Sequence, residues 1–483
     1  MKAQCLILMF AVGLIVAWLL LPVIIRRAAG MQRLREHAFH HTHSGRIPRL
    51  GGLALAVAFV VLVVATYLLM DVPPERLGVN LGMAGTALAM FGLGFWDDLR
   101  PLGARKKLLG QVLIAALATC FLPNIETVQN PVTGFAYDLG KWGVGFTIFW
   151  LVAFTNLINL VDGTDGLAGG LALMLMGLLA YVGANTGGVL PVCVAAGMVG
   201  ALTAFLRFNF PPARIYLGDG GAYFVGFLIG AFAIVQSQKG AVVAALIAPL
   251  FALALPIIDV SVAILRRGLK GLPIFRPDRR HVHHKLQAVG LSSRQVVLVL
   301  YGFSMVCLLM AFGVYWSRGR WAPIFLGLIM LLVLLAATQL SFVRVWLSPA
   351  YLFGGTTQIR KASRYTLLLG QWLELEAERS PSLDALWQDY EFLVRKIGFQ
   401  RVRLEADGME RVWESANQPP TPEAQCSVLP LNHAKHKTMT FWADADKMPE
   451  QVFDQVSELA AEAWVKAVNR QQKCQASART PDR

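Results

Sequence analysis

Apolar windows recur along the chain near 4–25, 50–70, 79–96, 108–122, 143–161, 166–183, 188–206, 221–236, 241–265, 295–316 and 321–347. Crossing the hydrocarbon of a bilayer takes a helix of about 20 apolar residues, so the pattern predicts about eleven spans. The polar connections sort by charge. Those at 26–49, 97–107 and 266–294 are rich in Lys and Arg, whereas 71–78, 123–142 and 237–240 are poor in both. Basic loops stay cytoplasmic, and an odd number of spans then puts the N-terminus outside and the C-terminus inside. Beyond about residue 350 the periodicity changes. The stretch 382–398 reads as an amphipathic helix, 399–405 and 409–413 as a hairpin around Ala-Asp-Gly, 417–423 as a Pro-rich loop, 438–443 as a further strand and 449–472 as a long closing helix. The expected fold class is an all-α polytopic membrane protein with about eleven transmembrane helices and a small C-terminal cytoplasmic α+β domain. The expected division is 1–350 and 351–483.

Composition agrees with the pattern. Of 483 residues, 55% are hydrophobic and 15% charged, and the mean hydropathy is +0.52, too apolar for a soluble chain of this length. The net charge of +14 raises nucleic acid as a partner. The basic residues lie mainly between apolar runs, however, where topology, an anionic leaflet and an anionic substrate account for them better. The six cysteines have no spacing that suggests zinc or a disulfide framework. The run 5–25 is too long for a signal-peptide core and reads as a retained first span.

Chemistry concentrates at the ends of the spans. The stretch NLINLVDGTDGLAGG at 156–170 carries Asn156, Asn159, Asp162 and Asp165 in steps of three, which puts them on one side of a helical turn. Carboxylates at a membrane boundary are expensive and read as functional. Such a face offers hard oxygen ligands, better suited to Mg²⁺ than to Zn²⁺. Asp97 and Asp98 end the third span and repel each other, so a metal or the following Arg100, Arg105, Lys106 and Lys107 must hold them. In FNFPPARIYLGDGG, Asp219 lies among glycines that allow backbone to approach a phosphate, and Tyr216 is a stacking platform for a base. PDRRHVHHK at 277–285 sets His281, His283 and His284 among cations that oppose a metal and favour phosphate. The first basic loop holds His37, His40, His41 and His43 before GRIPRLGG. Carboxylates for a divalent metal and cations for phosphates, gathered at one membrane face, fit phosphoryl transfer between a soluble donor and a lipid phosphate.

Taken in order, PRLGG at 48–52, DD at 97–98, NLINLVDGTDGLAGG, FNFPPARIYLGDGG and PDRRHVHH resemble the bacterial polyprenyl-phosphate N-acetylhexosamine-1-phosphate transferases. That superfamily also contains phospho-MurNAc-pentapeptide translocase. Each motif alone is weak; the ordered set is specific. The resemblance implies Mg²⁺-dependent transfer of a sugar 1-phosphate, GlcNAc-1-phosphate by the PDRxHxHH pattern, from a UDP-sugar to undecaprenyl phosphate, with release of UMP. Mn²⁺ is the expected substitute metal. By the same resemblance Asp97 and Asp98 are the catalytic acidic pair, Asn159 and Asp219 the metal positions, and Asp162 and Asp165 further acidic site residues. Asn209 and Tyr216 lie near the uridine; Asp278, Arg279, His281, His283 and His284 form the loop for the donor's phosphates and sugar. The chain departs from the family's pattern where His40-His41-Thr42-His43 replaces a usual Lys or Arg-Lys, where an early Asp-x-Pro is missing, and at Gly221, where Ser is common.

The implied setting is the bacterial inner membrane, with site and C-terminus cytoplasmic, a role in starting cell-envelope polysaccharide synthesis, a homodimer as one expected assembly and no nucleic acid. The segment after 350 resembles a GAF-type fold. The competing readings are a translocase-like enzyme, a non-catalytic carrier of polyprenyl lipids and a membrane-anchored regulator. Carriers place polar groups near the bilayer midplane, whereas these acidic motifs collect at one face.

Overall fold

The computed structural model describes residues 3–31, 47–129, 135–186, 188–236, 289–317, 356–406, 409–415, 424–431 and 437–478, with a few isolated positions between 257 and 331. These residues fall into two compact units.

The first is a helical bundle. Its elements are α1 (Ala3–Met31), α2 (Gly51–Leu69), α3 (Leu77–Leu99), α4 (Ala104–Ala118), a small hairpin β1 (Thr127–Gln129) and β2 (Ala136–Asp138), α5 (Trp142–Val161), α6 (Leu167–Thr186), α7 (Val189–Asn209), α8 (Gly218–Gln236) and α9 (Ser293–Trp316). Among the described residues eight helices are long and apolar enough to cross a membrane. They coincide with eight of the expected spans. The window at 108–122 is instead the shorter α4, and the spans at 241–265 and 321–347 fall largely outside the described residues. The chain is a polytopic membrane protein.

The apolar residues of these helices are not arranged on one stripe, because lipid and protein interior are both apolar. Position in the bundle sets burial. The central helix is α8, buried along almost its whole length and packed on α2, α3, α5 and α6. α1 lies outside, leaning on α7 and α2, with Ile7, Ile15 and Leu19 exposed as lipid-facing side chains are. Aromatic contacts lock the centre, Phe224 of α8 meeting Phe59 of α2 and Phe91 of α3 edge-on.

The second unit is a four-stranded antiparallel sheet with helices on one face. In chain order it is α10 (Thr356–Arg379), α11 (Leu383–Ile397), β3 (Arg401–Ala406), β4 (Met409–Glu414), β5 (Gln425–Pro430), β6 (Lys437–Ala443) and α12 (Glu450–Ala478), with strand order β4-β3-β6-β5. Ser382 caps α11 through its hydroxyl, which accepts from the Ala385 amide at 3.2 Å. Val402, Leu404, Met439 and Phe441 alternate with polar neighbours and face a core completed by Leu386, Tyr390 and Phe453. The expected helix, hairpin, strand and closing helix are all present. Two elements go beyond the expectation: α10, and β5, whose half-exposed residues and flanking prolines hid its alternation.

Candidate active site

At one end of the bundle lie the starts of α2, α4, α6, α8 and α9 and the ends of α3, α5 and α7. Helix starts carry orphan amide donors, and here they are met by other segments. The Gly51 and Gly52 amides that open α2 donate to the carbonyls of Tyr216 and Leu217, both at 2.9 Å, while the Tyr216 amide donates to the Pro48 carbonyl at 2.9 Å. The two motifs PRLGG and IYLGDGG thus form one backbone seam. A Cβ on Gly52 would come within 2.3 Å of the Gly221 Cα, so the seam needs glycine there. Gly218, at φ +78°, takes a left-handed turn that delivers Asp219 to the first turn of α8.

The acidic pair at the end of α3 divides its labour. Asp98 Oδ2 accepts from the Gly220 amide at 2.9 Å, a carboxylate seated on the positive end of α8. Asp97 is buried, accepts from the Leu102 amide at 2.6 Å and contacts the Lys107 ammonium. The same ammonium lies 3.1 Å from Asp219 Oδ2. Lys107 therefore joins carboxylates from α3 and α8 and neutralises part of their repulsion. Burial draws its pKa down, but the hydrogen bond to Asp97 and the charges of Asp219 and Asp97 outweigh that and hold it above the ordinary lysine value. Sequence reading treated Lys107 only as one of several flanking cations. Its place at the end of a basic run, one helical turn into α4, was the available signal.

The expectation that Asn156, Asn159, Asp162 and Asp165 share one helical face needs correction. α5 ends at Val161 because Gly163 and Gly166, the latter at φ +78°, break the helix. Asn156 faces away to Gln111 of α4, at 2.7 Å. Asp162 caps the helix end. Asp165 lies in the turn beyond, where its carboxylate accepts from the Ala213 amide at 3.0 Å. Asn209, expected near a uridine, is buried, accepting from the Gly166 amide at 3.0 Å and donating to the Ile215 carbonyl at 2.8 Å. Asp165 and Asn209 together staple the 162–166 turn to the 210–217 loop. Asn159 is half-buried in the last turn of α5, and Tyr216 half-buried on the seam, its phenol pushed up to about 12 by burial and the nearby Asp165. Asp278, Arg279, His281, His283, His284 and the histidines of the first loop lie outside the described residues.

Asp162 is held well above the usual carboxylate range, first by burial and then by the charges of Asp219 and Asp98. Between the ordinary value of 3.8 and the raised one, the folded protein keeps a proton that the unfolded chain has released, so stability falls as pH rises across that interval. The variant Asp162→Asn is expected to melt above the parent at pH 8 in chelator. That gap should close toward pH 5. Parallel pH dependence of the two melting temperatures would contradict the assignment.

α9 braces both loops. Arg294 Nε donates to the Pro211 carbonyl at 2.7 Å, and the Tyr301 hydroxyl donates to the Gly166 carbonyl. Tyr301→Phe removes a single hydrogen bond, a loss of about 1 kcal/mol, and kcat/KM is expected to fall about fivefold with the melting temperature little changed. Wild-type kinetics would mean that the turn is set without it.

Among the described residues no three His, Cys, Asp or Glu side chains converge closely enough to hold a metal ion alone. The carboxylates of Asp97 and Asp219 nonetheless converge on the one ammonium of Lys107. A pair of this kind fits Mg²⁺, which usually takes one or two carboxylates and completes its shell with water and substrate phosphate. With such a cation bound, the arrangement could neutralise and orient a phosphorylated ligand at the bundle's end.

Comparison with known proteins places this geometry. Residues 80–237, which run from α3 through α8, match the profile of glycosyl transferase family 4. A probable undecaprenyl-phosphate N-acetylglucosaminyl 1-phosphate transferase of Bacillus subtilis is 30% identical over 323 residues, covering 67% of this chain and 88% of that protein. A decaprenyl-phosphate N-acetylglucosaminephosphotransferase of Mycobacterium tuberculosis is 32% identical over 294 residues, 55% of this chain and 71% of that one. A phospho-N-acetylmuramoyl-pentapeptide-transferase of Listeria welshimeri is 32% identical over 329 residues, 63% of this chain and 97% of that one. The chain therefore belongs to glycosyl transferase family 4 as a membrane-embedded phospho-sugar transferase.

Proposed function

We propose that the protein transfers N-acetylhexosamine 1-phosphate, GlcNAc-1-phosphate by its motif pattern, from a UDP-sugar to undecaprenyl phosphate, releasing UMP. The observation that carries this reading is the ammonium of Lys107 set between Asp97 and Asp219 at one end of the bundle, two carboxylates against one cation, which leaves room for a divalent metal to bring phosphates there. Relatives whose printed names specify undecaprenyl- or decaprenyl-phosphate and N-acetylglucosamine supply the substrate classes.

Mg²⁺, when bound, would neutralise the pyrophosphate and the leaving nucleotide. By the resemblance Asp219 and Asn159 would hold it, with Asp97, which shares the Lys107 ammonium with Asp219, adjacent. The lipid's phosphate monoester has a second pKa near 6, so it is largely dianionic at pH 7 and needs little deprotonation. Asp97 then acts by orienting the attacking oxygen, and Lys107 by offsetting charge as the phosphates gather. Asp98 fixes the start of α8, and the stapled turn with Asp162 and Asp165 closes the seat from the α5 side. Direct displacement at the sugar-bearing phosphorus follows from this division: new P–O bond to the lipid phosphate, broken P–O bond to UMP. The histidines at 281, 283 and 284, with Asp278 and Arg279, are assigned to the donor's phosphates and sugar by resemblance. The setting is the bacterial inner membrane with the site cytoplasmic, since the loops at this end of the bundle are the basic ones. Residues 351–483 form a cytoplasmic accessory domain in this reading.

The test is UMP release by purified protein given undecaprenyl phosphate, Mg²⁺ and a panel of UDP-sugars. Release that needs both lipid and metal supports the reading and names the sugar. Silence with every donor, while lipid still binds, would move the assignment to a carrier.

A further inference from the structure

The second unit carries a surface that its own core does not use. One side of α10, with Ile359, Ser363, Thr366, Leu373 and Ala377, is buried in the domain, which packs it against α12. The other side presents Tyr365, Leu368 and Leu375, exposed by 47%, 64% and 59%. Between Leu368 and Leu375, Trp372 is partly buried against the domain's core, its ring 5.3 Å from that of Phe392 on α11. Arg360, Lys361 and Arg364 precede the stripe on α10. Arg395 and Lys396 of α11 lie over the Phe392 ring, at 5.7 and 5.5 Å. Three acidic groups of this helix pair are engaged within the domain: Glu374 and Glu378 pair with Lys466 and Arg470 of α12, and Asp389 accepts from Ser380.

We propose that this α10–α11 face docks on the surface of an anionic bilayer. Its stripe would lie at the acyl boundary and its five cations against lipid phosphates. Exposed Leu and aromatic side chains rimmed by Lys and Arg are the composition of an interfacial helix. The anionic leaflet supplies the complementary charge. The same chain crosses the membrane, so this partner is present at the effective concentration of a tethered one. A second copy matches the face less well. Two-fold pairing would set the patch against itself, with Glu374 and Glu378 of α10 already committed to α12.

The experiment uses full-length protein with its native cysteines replaced and a nitroxide at Leu368→Cys or Leu375→Cys. The protein is reconstituted in phosphatidylglycerol–phosphatidylcholine vesicles. Power saturation compares collision with oxygen, which enriches in lipid, and with a water-soluble nickel chelate. Both labels are expected to show high oxygen and low nickel accessibility, while a control label at Asp446→Cys shows the reverse. Exchanging Arg360, Lys361, Arg364, Arg395 and Lys396 for Gln, or using phosphatidylcholine alone, should raise nickel accessibility severalfold at 368 and 375. Three results overturn the proposal. High nickel accessibility in anionic vesicles means a water-facing stripe. Low accessibility to both reagents with spin–spin broadening means a second copy. The same low accessibility without broadening means that another segment of the chain covers the face.

Discussion

Asp219→Asn is expected to lower lipid-dependent UMP release by about 10²- to 10³-fold, the usual effect of removing one preorganised electrostatic group from a reacting centre. The substitution keeps size and shape. Lys107 retains its contact with Asp97, and the Asp98 cap on Gly220 is untouched. One of the two carboxylates sharing the ammonium is gone, and with it a ligand of the proposed cation. The loss should therefore appear in kcat and in the Mg²⁺ concentration needed for half-maximal rate. Melting temperature should hold or rise, since a like-charge neighbour of Asp97 has been neutralised. A variant with reduced rate but an unaltered Mg²⁺ titration would remove Asp219 from the cation's shell. A variant that melts far below the parent would make it a structural residue.

The second large effect is steric. Gly94→Ala, near the end of α3, would place a Cβ 2.4 Å from the Asp219 carbonyl oxygen and 2.7 Å from the Gly220 Cα. Both are backbone atoms with no rotamer to relieve the clash, so α3 and α8 must separate. Overpacking of this kind costs about 1–3 kcal/mol, and the displacement moves Asp97 away from Asp219. Gly92→Ala is the control. On the same helix its Cβ would meet nothing within 4 Å, and exchange of Gly for Ala in a helix favours folding by up to about 1 kcal/mol. The expected outcome is a melting temperature several degrees lower and activity nearly lost for Gly94→Ala, with Gly92→Ala at or above the parent in both. Equal behaviour of the two would mean that α3 and α8 are not in close contact at the site.

Much of this was legible before any coordinates. Length and apolarity identify membrane helices, since lipid demands both, and eight of the expected spans are in place. The ordered motifs identified the family, and the four that lie among the described residues each mark a helix end at one side of the bundle. What the sequence hid were relations between distant segments. Asp165 and Asn209 look like ligand-facing groups in a linear reading; only the fold shows them bonded to Ala213, Gly166 and Ile215. Lys107 was one cation among four until α4 turned it toward Asp97 and Asp219. Helical periodicity misled at 162–165, because glycine ended the helix before the spacing could apply. In the second unit, alternation revealed the buried strands and missed β5, whose side chains are half-exposed and alternate too weakly to register.

The seam between 48–52 and 216–217 also dictates an order of events during synthesis. Pro48, Gly51 and Gly52 leave the ribosome long before Tyr216 and Leu217, which lie beyond five further helices. Until α8 is delivered, the amides that open α2 lack their carbonyl partners and Lys107 lacks one of its two carboxylates. A nascent chain halted before residue 216 thus holds six of the eight membrane-crossing helices among the described residues, and Asp97 and Lys107 without their partner on α8. Asp219 joins Asp97 and Lys107 when a single helix enters a slot already lined by α2, α3, α5 and α6, and the brace from α9 follows only afterwards.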